Sequence, residues 1–121
     1  MRYSITRHDD FLAVAVFERK TPEETSEYLL ALKLQLQGFG LSKVLISVKE
    51  SAPILEVESY GFLALANAAR EANLKIALTS DSEDIRLSQR YVETLATKRG
   101  VNLKAFDSES EATEWLTSPA L

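Results

Sequence analysis

Short apolar segments that alternate with amphipathic ones constrain the fold of this chain more than any other feature of its sequence. The apolar runs Phe11–Phe17, Val44–Val48 and Ile76–Thr79 are separated by segments in which apolar residues recur at helical spacing. Parallel strands joined through helices require right-handed crossovers. The sequence therefore predicts a single α/β domain built around a mostly parallel sheet.

The amino terminus predicts an antiparallel hairpin over 2–7 and 11–17. The first segment alternates polar and apolar residues, as an edge strand with one wet face does, and His8, Asp9 and Asp10 provide turn residues. The second segment is apolar throughout, which is typical of a strand covered on both faces. In full, we expect a mixed sheet of about five strands with about four helices. This domain would span 1–121, with a frayed tail over 117–121.

Several helix boundaries are marked in the sequence. Thr21-Pro22-Glu23-Glu24 combines a capping box with proline in the first turn, and Gly38-Phe39-Gly40 is suited to end that helix. A second helix is predicted over Val57–Ala72. A third ends near Arg99, and its spacing places Ile85, Ser88, Tyr91, Val92 and Leu95 on one face. The segment Ser108–Glu111 repeats the capping-box pattern and predicts a fourth.

Composition excludes several kinds of function. The chain has 121 residues, no cysteine, one histidine and a formal net charge of −4. Disulfides, zinc-thiolate sites and cysteine nucleophiles are therefore excluded, and no basic stripe favours nucleic acid as a partner. No segment approaches the roughly 20 apolar residues of a membrane span. We expect a cytoplasmic protein.

The residues available for catalysis are few. The acidic pairs at Glu23 and Glu24 and at Glu109 and Glu111 fall in first helical turns, where they complement the helix dipole. His8 is the only histidine, and the sequence has no Gly-x-Ser-x-Gly motif whose serine it could activate as a base. It also has no second histidine with which to hold a metal. We therefore predict a protein that is not an enzyme and needs no cofactor.

One loop is a candidate for binding. Lys49–Val57 follows the carboxyl end of a central strand, where open sheets of this kind bind ligands, and it is more apolar than a solvated loop needs to be. It either forms a contact surface for a partner, a lipid or a second copy, or packs as a lid on its own core. The predicted partner- or ligand-binding residues are Ser51, Ile54, Leu55, Ser59, Tyr60 and Phe62.

The carboxyl-terminal segment 104–116, Lys-Ala-Phe-Asp-Ser-Glu-Ser-Glu-Ala-Thr-Glu-Trp-Leu, resembles the close of STAS domains of the SpoIIAA-like, anti-sigma-factor-antagonist-like type. The order of strands and helices before it is similar too. The resemblance implies a non-enzymatic regulatory module that docks on a partner protein around the third strand and second helix. A related branch of lipid-carrier-like domains implies the alternative, a small lipid-binding protein peripheral to the membrane.

The resemblance also suggests a modification site. Members of the family carry an Asp-Ser-Ser-Gly-Leu segment in which a serine is phosphorylated by a partner kinase, and its nearest equivalent here is Glu58-Ser59-Tyr60-Gly61-Phe62. Tyr60 stands where the usual acceptor serine would be, which leaves Ser59 as the candidate phosphoacceptor. A phosphate at a helix amino terminus is stabilised by free N–H groups and the dipole. The alternative is that Ser59 only caps the helix.

Overall fold

A computed structural model describes residues 1–51 and 62–118 of the chain. The five strands and four helices of this part alternate as the sequence predicts. In chain order they are β1 (Arg2–Arg7), β2 (Leu12–Phe17), α1 (Pro22–Phe39), β3 (Lys43–Lys49), α2 (Phe62–Ala72), β4 (Lys75–Ser80), α3 (Glu83–Lys98), β5 (Asn102–Ala105) and α4 (Glu109–Thr117).

The strands form one mixed sheet in the order β1-β2-β3-β4-β5. β1 and β2 pair antiparallel as a hairpin, and every other neighbouring pair is parallel. The predicted fold class is therefore confirmed. Because β2, β3 and β4 run in the same direction, their carboxyl ends meet at one border of the sheet.

Alternate residues of the central strands β2, β3 and β4 belong to two separate cores. Ile46 and its neighbours on one face pack against α1, α2 and α3 in the larger core. Leu45 and Ala77 point to the other face and pack against Ala112 and Leu116 of α4 in the smaller core. The sheet therefore has a three-helix face and an α4 face.

Side-chain caps begin the helices where the sequence indicates. Thr21 and Glu24 form the expected capping box at the start of α1, and the helix ends on Gly40 with a left-handed φ of 66°. Ser108 caps α4 by accepting from the Glu111 N–H. Among the several candidate caps before α3, Ser82 is the one used.

Some expectations need correction. The second strand begins at Leu12 rather than Phe11, and only its three-helix face is fully buried, because α4 lies over β3 and β4 and leaves Ala13 and Ala15 half-exposed. Thr117, assigned to the tail, is the last residue of α4. The start of the second helix before Phe62, and residues 119–121 of the tail, lie outside the described residues.

The buried face of α3 also differs from the prediction. Ile85 and Val92 are buried as expected, but Tyr91, predicted on the same face, is 53% exposed. Gln89 takes the buried position instead, since it lies one helical turn after Ile85. Gln89 was not among the residues predicted on this face of the helix.

Candidate functional site

The turns after β2, β3 and β4 form a connected polar border, which we call the ledge and define as residues 18–19, 49–51 and 80–82. Glu18 N–H donates to Lys49 O at 3.2 Å, which joins the first two turns. Glu50 N–H donates to Asp81 Oδ1 at 3.4 Å and joins the second turn to the third. Three separate strands thus contribute to one surface at their carboxyl ends, the usual ligand-binding side of such sheets.

Among the predicted site residues that the structure describes, Ser51 lies on the ledge. Its Oγ donates to Lys49 O at 2.9 Å and accepts from Arg19 N–H at 3.0 Å. The hydroxyl thus holds the turn after β3 against the turn after β2. This use of Ser51 is structural, and it fixes the point from which the chain continues into 52–61.

Two acidic residues of the ledge have strained backbones. Glu18 has a φ of 60° and Glu50 a φ of 50°. Residues other than glycine are uncommon in this region, where each costs on the order of 1 kcal/mol or more. Such strain is concentrated at functional sites when the surrounding structure enforces it. Here the enforcing contacts are the hydrogen bonds that join neighbouring turns.

A buried arginine supports the ledge from below. Arg19 is 1% exposed, although it follows β2 in a turn whose sequence suggests a solvated cation. Tyr28 of α1 is also buried, and burial raises its pKa to about 12 although the positive charge of Arg19 opposes the rise. No sequence pattern indicates that Arg19 is buried. Its backbone N–H bonds to Ser51, which is distant in the sequence.

A second buried polar group ties α3 to the end of β4. Gln89 Nε2 donates to Thr79 O at 2.9 Å, and both residues are buried. At the third turn of the ledge, Arg86 Nη1 donates to Ser80 O at 3.3 Å. Arg86 therefore anchors the ledge to α3, and Gln89 bonds α3 to the strand that leads into the ledge.

The other predicted site residues are not tested by these contacts. Ile54, Leu55, Ser59 and Tyr60 lie outside the described residues, and Phe62 is the first residue of α2. The described structure gives the two points between which the candidate loop runs. Its role in binding and the use of Ser59 as a phosphoacceptor stay predictions.

A cleft of about 360 Å³ lies on the α4 face of the sheet. Its floor includes Ala13, Ala15 and Ser47, and its walls include His8 on the hairpin and Glu109 on α4. The lipid-carrier alternative requires an apolar cavity beneath α2 and α3. This cleft is on the opposite face of the sheet, so it is not that cavity.

Two further kinds of functional feature are absent from residues 1–51 and 62–118. None of the helices there has the length and apolar character needed to cross a bilayer. The same ranges contain no grouping of three or more His, Cys, Asp or Glu side chains suited to hold a metal ion.

Comparison with known proteins identifies the architecture. A serine-to-glutamate variant of RsbS from Moorella thermoacetica, a STAS-domain protein, matches 96% of this chain and 95% of its own with a TM-score of 0.64 and 16% sequence identity. The chain has a STAS-like fold. No protein-family model matches the sequence, and no curated protein matches it either. At this identity the match establishes the fold, and the function is a separate inference.

Proposed function

We propose that this STAS-like domain is a non-enzymatic regulatory module that binds a partner protein through the ledge and the loop that follows it. The contact residues would be Ser51, Ile54, Leu55, Ser59, Tyr60 and Phe62. The observation that carries the proposal is the ledge itself, where three turns are bonded together at the carboxyl ends of parallel strands.

The fold supports the same proposal. The match to RsbS extends over nearly the full length of both chains, which supports a shared domain architecture. Side chains of the ledge are already used in positioning: Ser51 bonds the backbone of two turns, and Arg19 is buried. Polar groups that are already bonded or buried in this way suit recognition of another surface better than turnover of a substrate.

The decisive experiment is native mass spectrometry of the protein captured from its own host. The expected result is a stoichiometric protein partner that is lost in the double variant Ile54→Ser and Leu55→Ser, with the thermal midpoint unchanged. A matched control is Leu30→Ser with Leu34→Ser, since both leucines are 60% exposed on α1, away from the ledge. Retention of the partner by the loop variant, or its loss in both variants, contradicts the assigned surface.

The same measurement tests the role of Ser59. If Ser59 is the phosphoacceptor, a phosphate mass increment present in the wild-type chain disappears in Ser59→Ala and persists in Ser51→Ala. A phosphate that persists in Ser59→Ala assigns modification elsewhere. A lipid-sized adduct in place of a protein partner would favour the lipid-carrier alternative.

A further inference from the structure

Within residues 1–51 and 62–118, no strand pairs with the outer edge of β1. β1 is the terminal strand and pairs with β2 alone. His8 N–H donates to Phe11 O at 2.9 Å, so these two residues form a hydrogen-bonded pair. Because bonded and non-bonded pairs alternate along an antiparallel ladder, the backbone groups of Tyr3, Ile5 and Arg7 point away from β2.

Nothing in the described ranges occupies those outward groups. No backbone hydrogen bond of residues 1–51 and 62–118 outside the sheet ladders involves Tyr3, Ile5 or Arg7. The register with β2 is continuous from Arg2 to Arg7, so no bulge bends the strand, and the strand contains no proline. Natural proteins usually protect a long edge by one of these devices.

The opposite edge of the same sheet shows such protection. β5 has four residues, and its two outward N–H groups are already bonded. Leu103 N–H donates to Val101 O at 3.1 Å, and Ala105 N–H donates to Glu93 Oε1 at 2.6 Å. The outward N–H groups of β5 are therefore bonded within the described part of the chain, whereas the outward backbone groups of the longer strand β1 have no partner there.

We propose that β1 is a self-association edge, on which a second copy of this chain adds its own β1 antiparallel about a twofold axis through Ile5. In this register Ile5 lies opposite Ile5 of the second copy, and Tyr3 lies opposite Arg7. The inference is independent of the partner surface proposed at the ledge.

The number of hydrogen bonds between the two copies favours this register over registers shifted along the strand. With the axis at Ile5, the outward residues form three bonded pairs, Tyr3 with Arg7, Ile5 with Ile5 and Arg7 with Tyr3, and two bonds for each pair make six. A slip by two residues in either direction leaves two such pairs within the strands, and therefore four bonds. Only the Ile5-centred register uses every outward group of both strands.

Side-chain chemistry favours a second copy as the occupant. The register places Arg7, whose guanidinium stacks on the Phe39 ring of its own chain at 4.5 Å, opposite Tyr3 of the second copy. Tyr3 is 36% exposed in the isolated chain, so its ring is available for a further cation–π contact with that guanidinium. Ser4 lies opposite Thr6, a favourable hydroxyl pair. Arg2 faces His8, so no arginine faces another arginine. The strand is thus complementary to itself without any like-charged pair.

Sedimentation measured over a series of protein concentrations tests the proposal, with variants that change the charges at the paired positions. Tyr3→Arg places two arginines opposite each other twice in the dimer, and we expect the dimer dissociation constant to rise by about tenfold or more. The double variant Tyr3→Arg with Arg7→Glu restores opposite charges in the same pairs and is expected to restore association. Thermal melts of each variant check that the monomer is intact. Wild-type protein that stays monomeric at millimolar concentration, or association unaffected by Tyr3→Arg, overturns the proposal.

Cysteine pairing tests the register separately, because the chain has no cysteine of its own. In the proposed dimer Ser4 and Thr6 of different copies form a non-hydrogen-bonded pair with Cα atoms about 4.5 Å apart, which is within disulfide range. An equimolar mixture of Ser4→Cys and Thr6→Cys chains should therefore form the mixed disulfide on mild oxidation. Each variant alone places its cysteines about 7 Å apart along the strand and serves as the control. Equal crosslinking of the mixture and of the single variants overturns the register.

Discussion

On one face of the sheet three helices cover large aliphatic side chains, whereas on the other a nine-residue helix covers mostly small ones. Among the described residues, α4 packs mainly against β3 and β4 and covers the β1–β2 hairpin only in part on that side. Ala13 and Ala15 are half-exposed there, while their neighbours Leu12 and Val14 on the three-helix face are buried. The same strand therefore experiences two environments.

This difference between the two faces predicts which of them contributes more to the free energy of unfolding and which is more loosely packed. Burial of apolar area is the main favourable term in folding, so the three-helix face should contribute most of the free energy of unfolding. On the α4 face, small side chains such as Ala15 and Ser47 leave an open cleft. Substitutions on the two faces should consequently differ in cost.

The largest expected effect comes from neighbouring residues of β3. Ile46 is 2% exposed in the large core and Leu45 is 5% exposed in the small one. Ile46→Ala should lower the free energy of unfolding by about 4 kcal/mol and Leu45→Ala by about 2 kcal/mol, because Leu45 borders the cleft and its cavity can fill with water. Urea denaturation of both variants measures the difference. Equal losses would mean that the faces are equivalent in stability.

A smaller and more local effect is expected from Leu116→Ala. Leu116 is fully buried against the sheet and holds α4 in place. Its truncation should cost about 2 kcal/mol and should be concentrated in α4, since few other buried side chains attach that helix. Hydrogen exchange should show faster opening of α4 than of β3 or α1. Uniform acceleration throughout the domain would show that α4 unfolds only with the rest.

Helix caps provide a third comparison. The expected loss in free energy of unfolding is about half that of Leu116→Ala. Ser108 Oγ accepts from Glu111 N–H at 3.2 Å and begins α4, so Ser108→Ala should cost about 1 kcal/mol. Ser110→Ala, at an exposed position in the same helix, is the control and should change stability by less than about 0.5 kcal/mol. Thermal melts are sufficient. A cost at Ser110 equal to that at Ser108 would argue against capping as the cause.

The sequence predicted the order of the elements because local chemistry decides it. Thr21 and Ser108 cap the helices as expected, and the apolar runs form the central strands. Burial of polar residues was not predictable in the same way. Arg19 is buried and its backbone N–H bonds to Ser51, which is distant in the sequence, and Gln89 is buried on a face of α3 where it was not predicted. The ledge depends on contacts between turns that are far apart in the chain, so the sequence indicated its position but not its hydrogen bonds.

The smallest expected effects concern one ion pair on each face. On the three-helix face, Glu24 contacts the Met1 amino group at 3.1 Å and also accepts from the Lys20 and Thr21 N–H groups. On the α4 face, Lys49 contacts Glu109 at 3.4 Å, and both side chains are more than a third exposed. Exposed pairs contribute little, so Glu109→Gln should leave stability nearly unchanged.

Acid titration distinguishes the two pairs. The hydrogen bond from Lys20 N–H and the interactions with the amino terminus lower the pKa of Glu24 from 4.5 to about 2. A lowered folded-state pKa means that the carboxylate stabilises the fold above pH 4.5, and that this contribution is lost as the pH falls from about 4.5 to about 2. Glu24→Gln should therefore flatten the loss of stability over that range, measured by thermal melts at successive pH values, whereas Glu109→Gln should reproduce the wild-type profile. A wild-type profile in Glu24→Gln would show that the Glu24 carboxylate does not fasten β1 to the start of α1.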